Sequence, residues 1–300
     1  MPCYHPLHGY AKEGGGWTPD FSKSSGSGRP LLIPCGQCIG CRLERSRQWA
    51  IRCIHEASLF GNNNVFVTLT YRPADLPKDG SLDYRHFQLF MKRLRKKFGS
   101  GVRFYMCGEY GDEGGRPHYH AILFNLTFSD RKPWRKTPTG YMQYRSETLE
   151  NLWGLGNCEF GSVTFKSAAY VARYIMKKVT GDQAAFHYCD IDPVTGEILS
   201  EVKPEFNSMS RRPGIGRGWL EKFSSDVYPA DFVVVGGHRS RPPRYYDKYF
   251  EAVNPKEFDH LILHRAIDSR KRRSDNTRER LAVRERVAEA GLRNLVRPLS

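Results

Sequence analysis

Short β-branched and aromatic runs separated by amphipathic helical stretches predict an α+β fold, with a central, mainly antiparallel sheet and helices packed on one of its faces. Three observations carry this expectation. The run Val65-Phe-Val-Thr-Leu-Thr-Tyr71 reads as a strand. Two further strand-like runs, 102–108 and 118–126, are separated by Tyr-Gly-Asp-Glu-Gly-Gly-Arg-Pro, which is long enough for an antiparallel return. Residues 83–98 set Phe87, Phe90, Met91, Leu94 and Phe98 on one helical face, and Gly99 supplies the stop.

The remaining elements follow in order. Residues 11–30 are rich in Gly and Ser and read as a flexible loop. From Leu43 to Phe60 apolar positions recur at helical spacing and Gly61 ends the run. A helix is expected over 167–179, beginning near Ser167, and a hairpin within 186–209 around Asp192-Pro-Val-Thr-Gly196. An Arg/Gly loop follows at 211–218. The stretch from about His264 to Arg297 is dense in Arg with interspersed acids and reads as a solvated helix or a disordered tail. This divides the chain into an N-terminal Cys-rich segment with its helix (1–60), a central domain (61–225) and a C-terminal extension with a basic helical tail (226–300).

Composition narrows the function classes. The chain has 300 residues, of which 39% are hydrophobic and 26% charged, and its net charge is +15. No apolar run approaches a membrane-spanning length, and the N-terminus lacks the pattern of a secretory signal, so a cytoplasmic location without membrane partners is expected. A charge of that size points to nucleic acid as the partner, the alternative being a merely basic surface. Of eight cysteines, Cys35, Cys38 and Cys41 form C-x-x-C-x-x-C. Three thiolates within seven residues suit a structural Zn²⁺ whose fourth ligand is Cys3, with His5 or His8 as alternatives. An iron–sulfur cluster or three metal-free thiols are the competing readings. Cys53, Cys107, Cys158 and Cys189 read as buried thiols.

The chemistry concentrates in two places. In Pro117-His118-Tyr119-His120, side chains alternate along a strand, so His118 and His120 share a face and can grip one divalent ion. A third ligand is Glu109 at the end of the preceding strand, with Asp112 and Glu113 as alternatives. Two imidazoles and a carboxylate suit Mg²⁺ or Mn²⁺, while the nitrogen ligands also admit Zn²⁺. Further on, Tyr170 and Tyr174 lie four apart on a helix, each followed three residues later by a cation, Arg173 and Lys177, with Lys178 next. A phenol ionises near pH 10, so it becomes a nucleophile only beside a cation or a metal. Taken singly, these histidines, acids and tyrosines also fit polar or packing roles.

In order, Phe66-Val-Thr-Leu-Thr-Tyr71, Pro-His-Tyr-His and Tyr-Val-Ala-Arg-Tyr resemble the three motifs of the HUH endonucleases. The two-tyrosine form is similar to the rolling-circle initiators of small single-stranded DNA phages. The cysteine run and Met209-Ser-Arg-Arg-Pro-Gly-Ile-Gly216 resemble the microvirus replication initiators of the gokushovirus group. The resemblance, spanning about 31 to 220, implies an HUH/Rep-like nuclease fold with metal on His118, His120 and Glu109. It also implies attack by Tyr170 or Tyr174, assisted by Lys177, on a phosphodiester of phage DNA at a replication origin, in the cytoplasm of an infected bacterial host. The products are a 5′-phosphotyrosyl link and a free 3′-hydroxyl that primes a host polymerase. No G-x-x-x-x-G-K-[ST] run is present, so a host helicase is expected to unwind. Arg173, Lys178, Arg211, Arg212 and Arg217 are the expected phosphate contacts. A transposase, a relaxase and a non-catalytic zinc-bearing DNA-binding protein are the rival readings.

Overall fold

The computed structural model describes residues 3–12, 16–24, 30–111, 114–173, 183–192 and 194–293. Tyr174, Lys177 and Lys178, and the alternative acids Asp112 and Glu113, lie outside them. By internal contacts the chain divides into two units, one of Met1–Arg45 with Asp259–Val296, the other of Ser46–Phe258 with Arg297–Ser300.

The elements begin with β1 (Leu7–Ala11), β2 (Trp17–Thr18) and β3 (Pro30–Ile33), followed by α1 (Ile39–Ser58), β4 (Asn64–Thr70) and α2 (Tyr84–Phe98). The hairpin of β5 (Arg103–Tyr110) and β6 (Pro117–Phe124) comes next, then β7 (Lys132–Lys136), β8 (Met142–Arg145), α3 (Glu147–Trp153) and β9 (Cys158–Ser162). After these lie α4 (Phe165–Arg173), α5 (Gln183–Tyr188), β10 (Cys189–Ile191), β11 (Ile198–Glu201) and β12 (Phe206–Met209). The last elements are α6 (Arg217–Val227), β13 (Val233–Val235), β14 (His238–Ser240), α7 (Arg244–Val253), α8 (Pro255–Lys271) and α9 (Arg278–Arg293).

In the first unit, β2, β1 and β3 form a small antiparallel sheet. Part of the stretch expected to be a loop, 11–30, is therefore strand, because the paired backbones outweigh the weak local signal of Gly and Ser. His5 pairs with Glu285 of α9 at 2.7 Å. The basic C-terminal stretch is helical through α8 and α9 as far as it is described, and most of its side chains are exposed.

The second unit is built on a seven-stranded antiparallel sheet in the order β12-β5-β6-β4-β9-β8-β7. Its inner strands are buried on both sides. On one face Tyr119, Ala121 and Leu123 of β6 join Phe87, Phe90, Met91 and Leu94 of α2 and Leu149 and Trp153 of α3. On the other, Ile122 and Phe124 meet Ala50, Cys53 and Ala57 of α1 and Ala168, Val171 and Ala172 of α4. The expectation of helices on one face is thus corrected: a strand apolar on both sides needs cover on both. The thiols of Cys53, Cys107 and Cys158 are buried, whereas Cys189 is half-buried.

Local chemistry sets the helix ends near the site. Asp83 caps α2, accepting from the Arg85 backbone N–H at 2.8 Å, and Gly99 closes it at φ +93°. Thr164 and Ser167 cap α4 reciprocally, each hydroxyl accepting the other's backbone N–H, at 3.1 and 2.8 Å. Among the described residues no helix is long and apolar enough to cross a membrane.

Candidate functional site

The hairpin register places Glu109 directly across from His118, and Cys107 across from His120. Glu109 and His120 are buried and His118 is half-buried. Both imidazoles point Nε2 at one oxygen: His118 stands 2.7 Å and His120 2.9 Å from Glu109 Oε1. The far side of each ring is also held. His118 Nδ1 donates to the Arg116 carbonyl at 3.1 Å, and His120 Nδ1 meets Thr68 Oγ1 at 3.0 Å. A carbonyl only accepts, so Nδ1 of His118 carries a hydrogen and Nε2 is the ring atom left to face Glu109.

A ring nitrogen this close to a carboxylate oxygen needs positive charge between them, either a proton on the ring or a bound cation. Burial pushes the Glu109 carboxyl up, but the two imidazoles outweigh it and hold the group at about 2, so it is anionic at neutral pH. Burial pushes His120 down, against the upward pull of Glu109, which keeps the ring in the neutral, ligating form. All three ligand atoms lie within 4.8 Å of one another. Neighbouring ligands of an octahedral ion at about 2.1 Å stand about 3 Å apart, close to the spacing here. The donor set and its spacing fit a divalent cation.

α4 brings Tyr170 to this centre. Its half-buried ring packs edge-on against His120, with centroids 5.3 Å apart, and against Phe66 at 6.3 Å. Arg173 ends the described part of α4, half-buried.

A second cluster gathers Cys3, Cys35, Cys38 and Cys41, again with all ligand atoms within 4.8 Å. Backbone N–H groups point at the sulfurs: Tyr4 donates to Cys38, Cys35 to Cys3 and Cys38 to Cys35, each at 3.3 Å. The Cys3 and Cys38 sulfurs are 4.0 Å apart. Four thiolates at about 2.3 Å around a tetrahedral ion stand about 3.8 Å apart, so this set also fits a metal. Burial raises Cys38, yet the backbone N–H groups of Tyr4 and Cys41 bring it down to about 7. Of the alternative ligands, His5 is engaged with Glu285 and His8 is exposed on β1.

The Arg/Gly segment is spread out rather than gathered at the triad. Arg211 and Arg212 are exposed just after β12. Arg217 opens α6, bonded to Glu221 at 2.7 Å with its guanidinium 3.5 Å over the Tyr249 ring. The loop itself is anchored. Buried Glu56 accepts from Gly216 N at 2.7 Å and pairs with Arg103, which donates to the Pro213 carbonyl at 2.7 Å. Added Cβ atoms would stand 2.5 Å from the hydroxyls of Tyr245 at Gly214 and of Tyr246 at Gly216, so these glycines serve close packing.

The family model of replication-associated protein ORF2/G2P matches residues 64–179. Replication-associated protein VP4 of Bdellovibrio phage phiMH2K is 34% identical over 267 residues, which cover 86% of this chain and 80% of that one. Replication-associated protein ORF2 of Spiroplasma virus 4 is 32% identical over 245 residues, covering 75% and 70%. The chain belongs to the family of phage replication-associated proteins. Within it, replication-associated protein ORF4 of Chlamydia phage 1 is 30% identical over 238 residues, spanning 76% of this chain and 56% of its own length. No solved structure matches the chain. The segment matched by the family model runs from the start of β4 past α4 and so contains the triad and both tyrosines.

Sequence reasoning missed Thr68, which holds His120 from behind, and Phe66, which contacts both His120 and Tyr170. Both were visible only as members of a strand. Alternation would have put them on one face, but the strand pairing that brings them to His120 leaves no local trace.

Proposed function

We propose that this replication-associated protein starts rolling-circle replication by nicking one strand of phage DNA through a tyrosine, within residues 61–225. The observation that carries the reading is Tyr170 set edge-on to a His118–His120–Glu109 cluster whose donors converge. His118, His120 and Glu109 would hold Mg²⁺ or Mn²⁺, which supplies the positive charge that makes a phosphodiester open to attack. The chain's own groups do the rest. A phenol oxygen of Tyr170 or Tyr174 bonds to phosphorus, the P–O3′ bond breaks, and the departing oxygen takes up a proton. The phosphotyrosyl link conserves the energy of the phosphodiester, so religation at the origin needs no nucleotide, and the second tyrosine can take over the strand. Lys177 is assigned to favour the phenolate. Host polymerase would extend the 3′-hydroxyl, and a host helicase would open the duplex. Zinc on Cys3, Cys35, Cys38 and Cys41 is assigned a structural role apart from this chemistry.

The test is incubation with a single-stranded oligonucleotide from the phage genome in Mn²⁺. A covalent protein–DNA band is expected, with the adduct on Tyr170 or Tyr174 by mass spectrometry. His120→Ala should abolish the band while leaving most DNA binding, since charge supplies that affinity. Full nicking by His120→Ala, or an adduct on neither tyrosine, overturns the mechanism.

A further inference from the structure

The edge of the large sheet carries an exposed aromatic ring that packing does not explain. β7 ends the seven-stranded sheet, and all of its residues, Lys-Pro-Trp-Arg-Lys, are exposed. From Arg131 to Arg145, through the hairpin of β7 and β8, the chain has five cations and no acid. Lys and Pro on an edge strand guard it against pairing with another sheet. A tryptophan does not, since it adds apolar area where the guard removes it. Trp134 is 57% exposed, whereas the other four tryptophans are buried or half-buried.

The ring is held in place. The Arg145 guanidinium lies 4.8 Å from its centroid, and Arg145 is itself bonded to Glu150 at 2.9 Å and to Asn157 at 3.2 Å. Beside it Arg135 donates to Gln143 at 2.7 Å and to Glu159 at 3.1 Å. Lys132 and Lys136 stand exposed at the two ends of β7. A fixed ring flanked by cations is what a single-strand site needs, because bases stack on the ring while phosphates meet the cations. A duplex keeps its bases stacked on one another and gives the ring no face to cover, so the fit is to a single strand.

The hairpin also leads to the reaction centre. Tyr141, exposed just before β8, and Lys166 of α4 line one narrow crevice. Lys166 is exposed and stands four residues before Tyr170, on the same side of α4. Across the sheet, β7 is four strands from β6, which places it about 19 Å from His120. A strand of about six nucleotides spans that distance even at about 3.4 Å per nucleotide.

We propose that the β7–β8 hairpin is a binding surface for the single-stranded DNA that flanks the nick, with bases stacked on Trp134 and Tyr141, phosphates on Lys132 and Lys136, and Lys166 carrying the backbone on toward Tyr170. Its place beside the nick rests on the nuclease reading above, but its binding chemistry can be tested without catalysis.

The full chain is titrated, without added divalent cation, against a fluorescein-labelled oligothymidylate and against a duplex of the same length, and anisotropy is followed over a range of salt. Trp134→Ala should bind the single strand about tenfold more weakly, the loss of one stacked base, with an unchanged salt slope, and should bind the duplex as the wild type does. Trp134→Phe should recover most of the loss, because a ring remains. Lys132→Gln with Lys136→Gln should instead flatten the single-strand slope by about 1.4. Wild-type single-strand affinity in Trp134→Ala, or an equal loss on the duplex, overturns the surface, and so does an unchanged slope in the lysine variant. Covalent adduct formation in Mn²⁺ on an oligonucleotide from the phage genome is read separately. The expected Trp134 loss without any adduct leaves the surface standing and refutes only the nuclease reading; an adduct with no Trp134 loss refutes only the surface.

Discussion

His55 shows how a single side chain ties this fold to pH. It lies 4% exposed on α1, its ring stacked 3.5 Å from Trp219 and 5.8 Å from Tyr246, with Nδ1 bonded to the Tyr246 hydroxyl at 3.0 Å. Burial pushes it down from 6.5 to about 4. The unfolded chain therefore binds a proton near pH 6.5 that the folded chain refuses until about pH 4. Stability is full above 6.5 and falls as pH drops through this window, by about 1.4 kcal/mol per pH unit at most and about 3 kcal/mol in all. Urea unfolding at pH 7.5, 6 and 5 checks this. His55→Phe, which keeps a ring in the stack, should flatten the His55 share of the decline; an equally steep decline in that variant would show that other groups cause it. The same logic of enclosure governs the triad, where Thr68 and the Arg116 carbonyl hold Nδ1 of His120 and of His118 and leave both Nε2 atoms facing Glu109.

At the scale of elements, what the sequence disclosed depended on how local the signal was. α2 was legible to within one residue because its apolar face and its Gly stop share one short run. The triad was legible because a two-residue alternation and one hairpin return are enough to bring Glu109 to the histidines. β7 was not: Lys-Pro-Trp-Arg-Lys is exposed throughout on the sheet edge, so it carries no apolar alternation to read. α3 spans 7 residues, too few to establish a period. The pairing of β4 with β9 and of β9 with β8 was invisible for a stronger reason, since only the folded sheet specifies it. The cysteine cluster stands between these cases: three ligands share one run, and the fourth arrives from before β1. Bound zinc would pin Cys3 to the turn after β3 and to the first turn of α1, stabilising this unit alone. A zinc held at a thousandfold above its Kd adds about 4 kcal/mol to the folded state. Metal analysis should find near one zinc per chain after mild chelation, absent in Cys38→Ser, whose segment before residue 45 should become open to protease. A metal-free wild type of equal stability would rule the site out.

Over the whole molecule, the net charge of +15 is the feature that would supply sequence-independent affinity for DNA. The excess of +15 attracts any DNA, and the geometry decides which cations turn that attraction into register. Three arginines near β12 and α6 differ in what holds them. Arg217 is already committed to Glu221 and to the face of Tyr249. Arg211 and Arg212 extend into solvent from a segment anchored by Glu56 and Arg103, so the backbone is fixed while the guanidinium groups are exposed. They follow β12, which pairs with β5 from Gly108 back to Tyr105; the segment after it lies beside the Arg103 end of β5, about 20 Å along that strand from Glu109. At that distance they would act on binding and not on the bond that the proposed reaction cuts. Each phosphate contact on single-stranded DNA contributes about 0.7 to the slope of log affinity against log salt. Arg211→Ala with Arg212→Ala should therefore flatten the slope by about 1.4, weaken binding at low salt, and leave the rate of nicking at saturating DNA unchanged. Arg217→Ala should move the slope far less, because that side chain is spent on its intramolecular partners. Titrating one oligonucleotide at several salt concentrations against all three proteins separates these outcomes. A double variant with the wild-type slope would place the phosphate track elsewhere on the surface, and a slower rate at saturation would bring these arginines to the reacting phosphate after all.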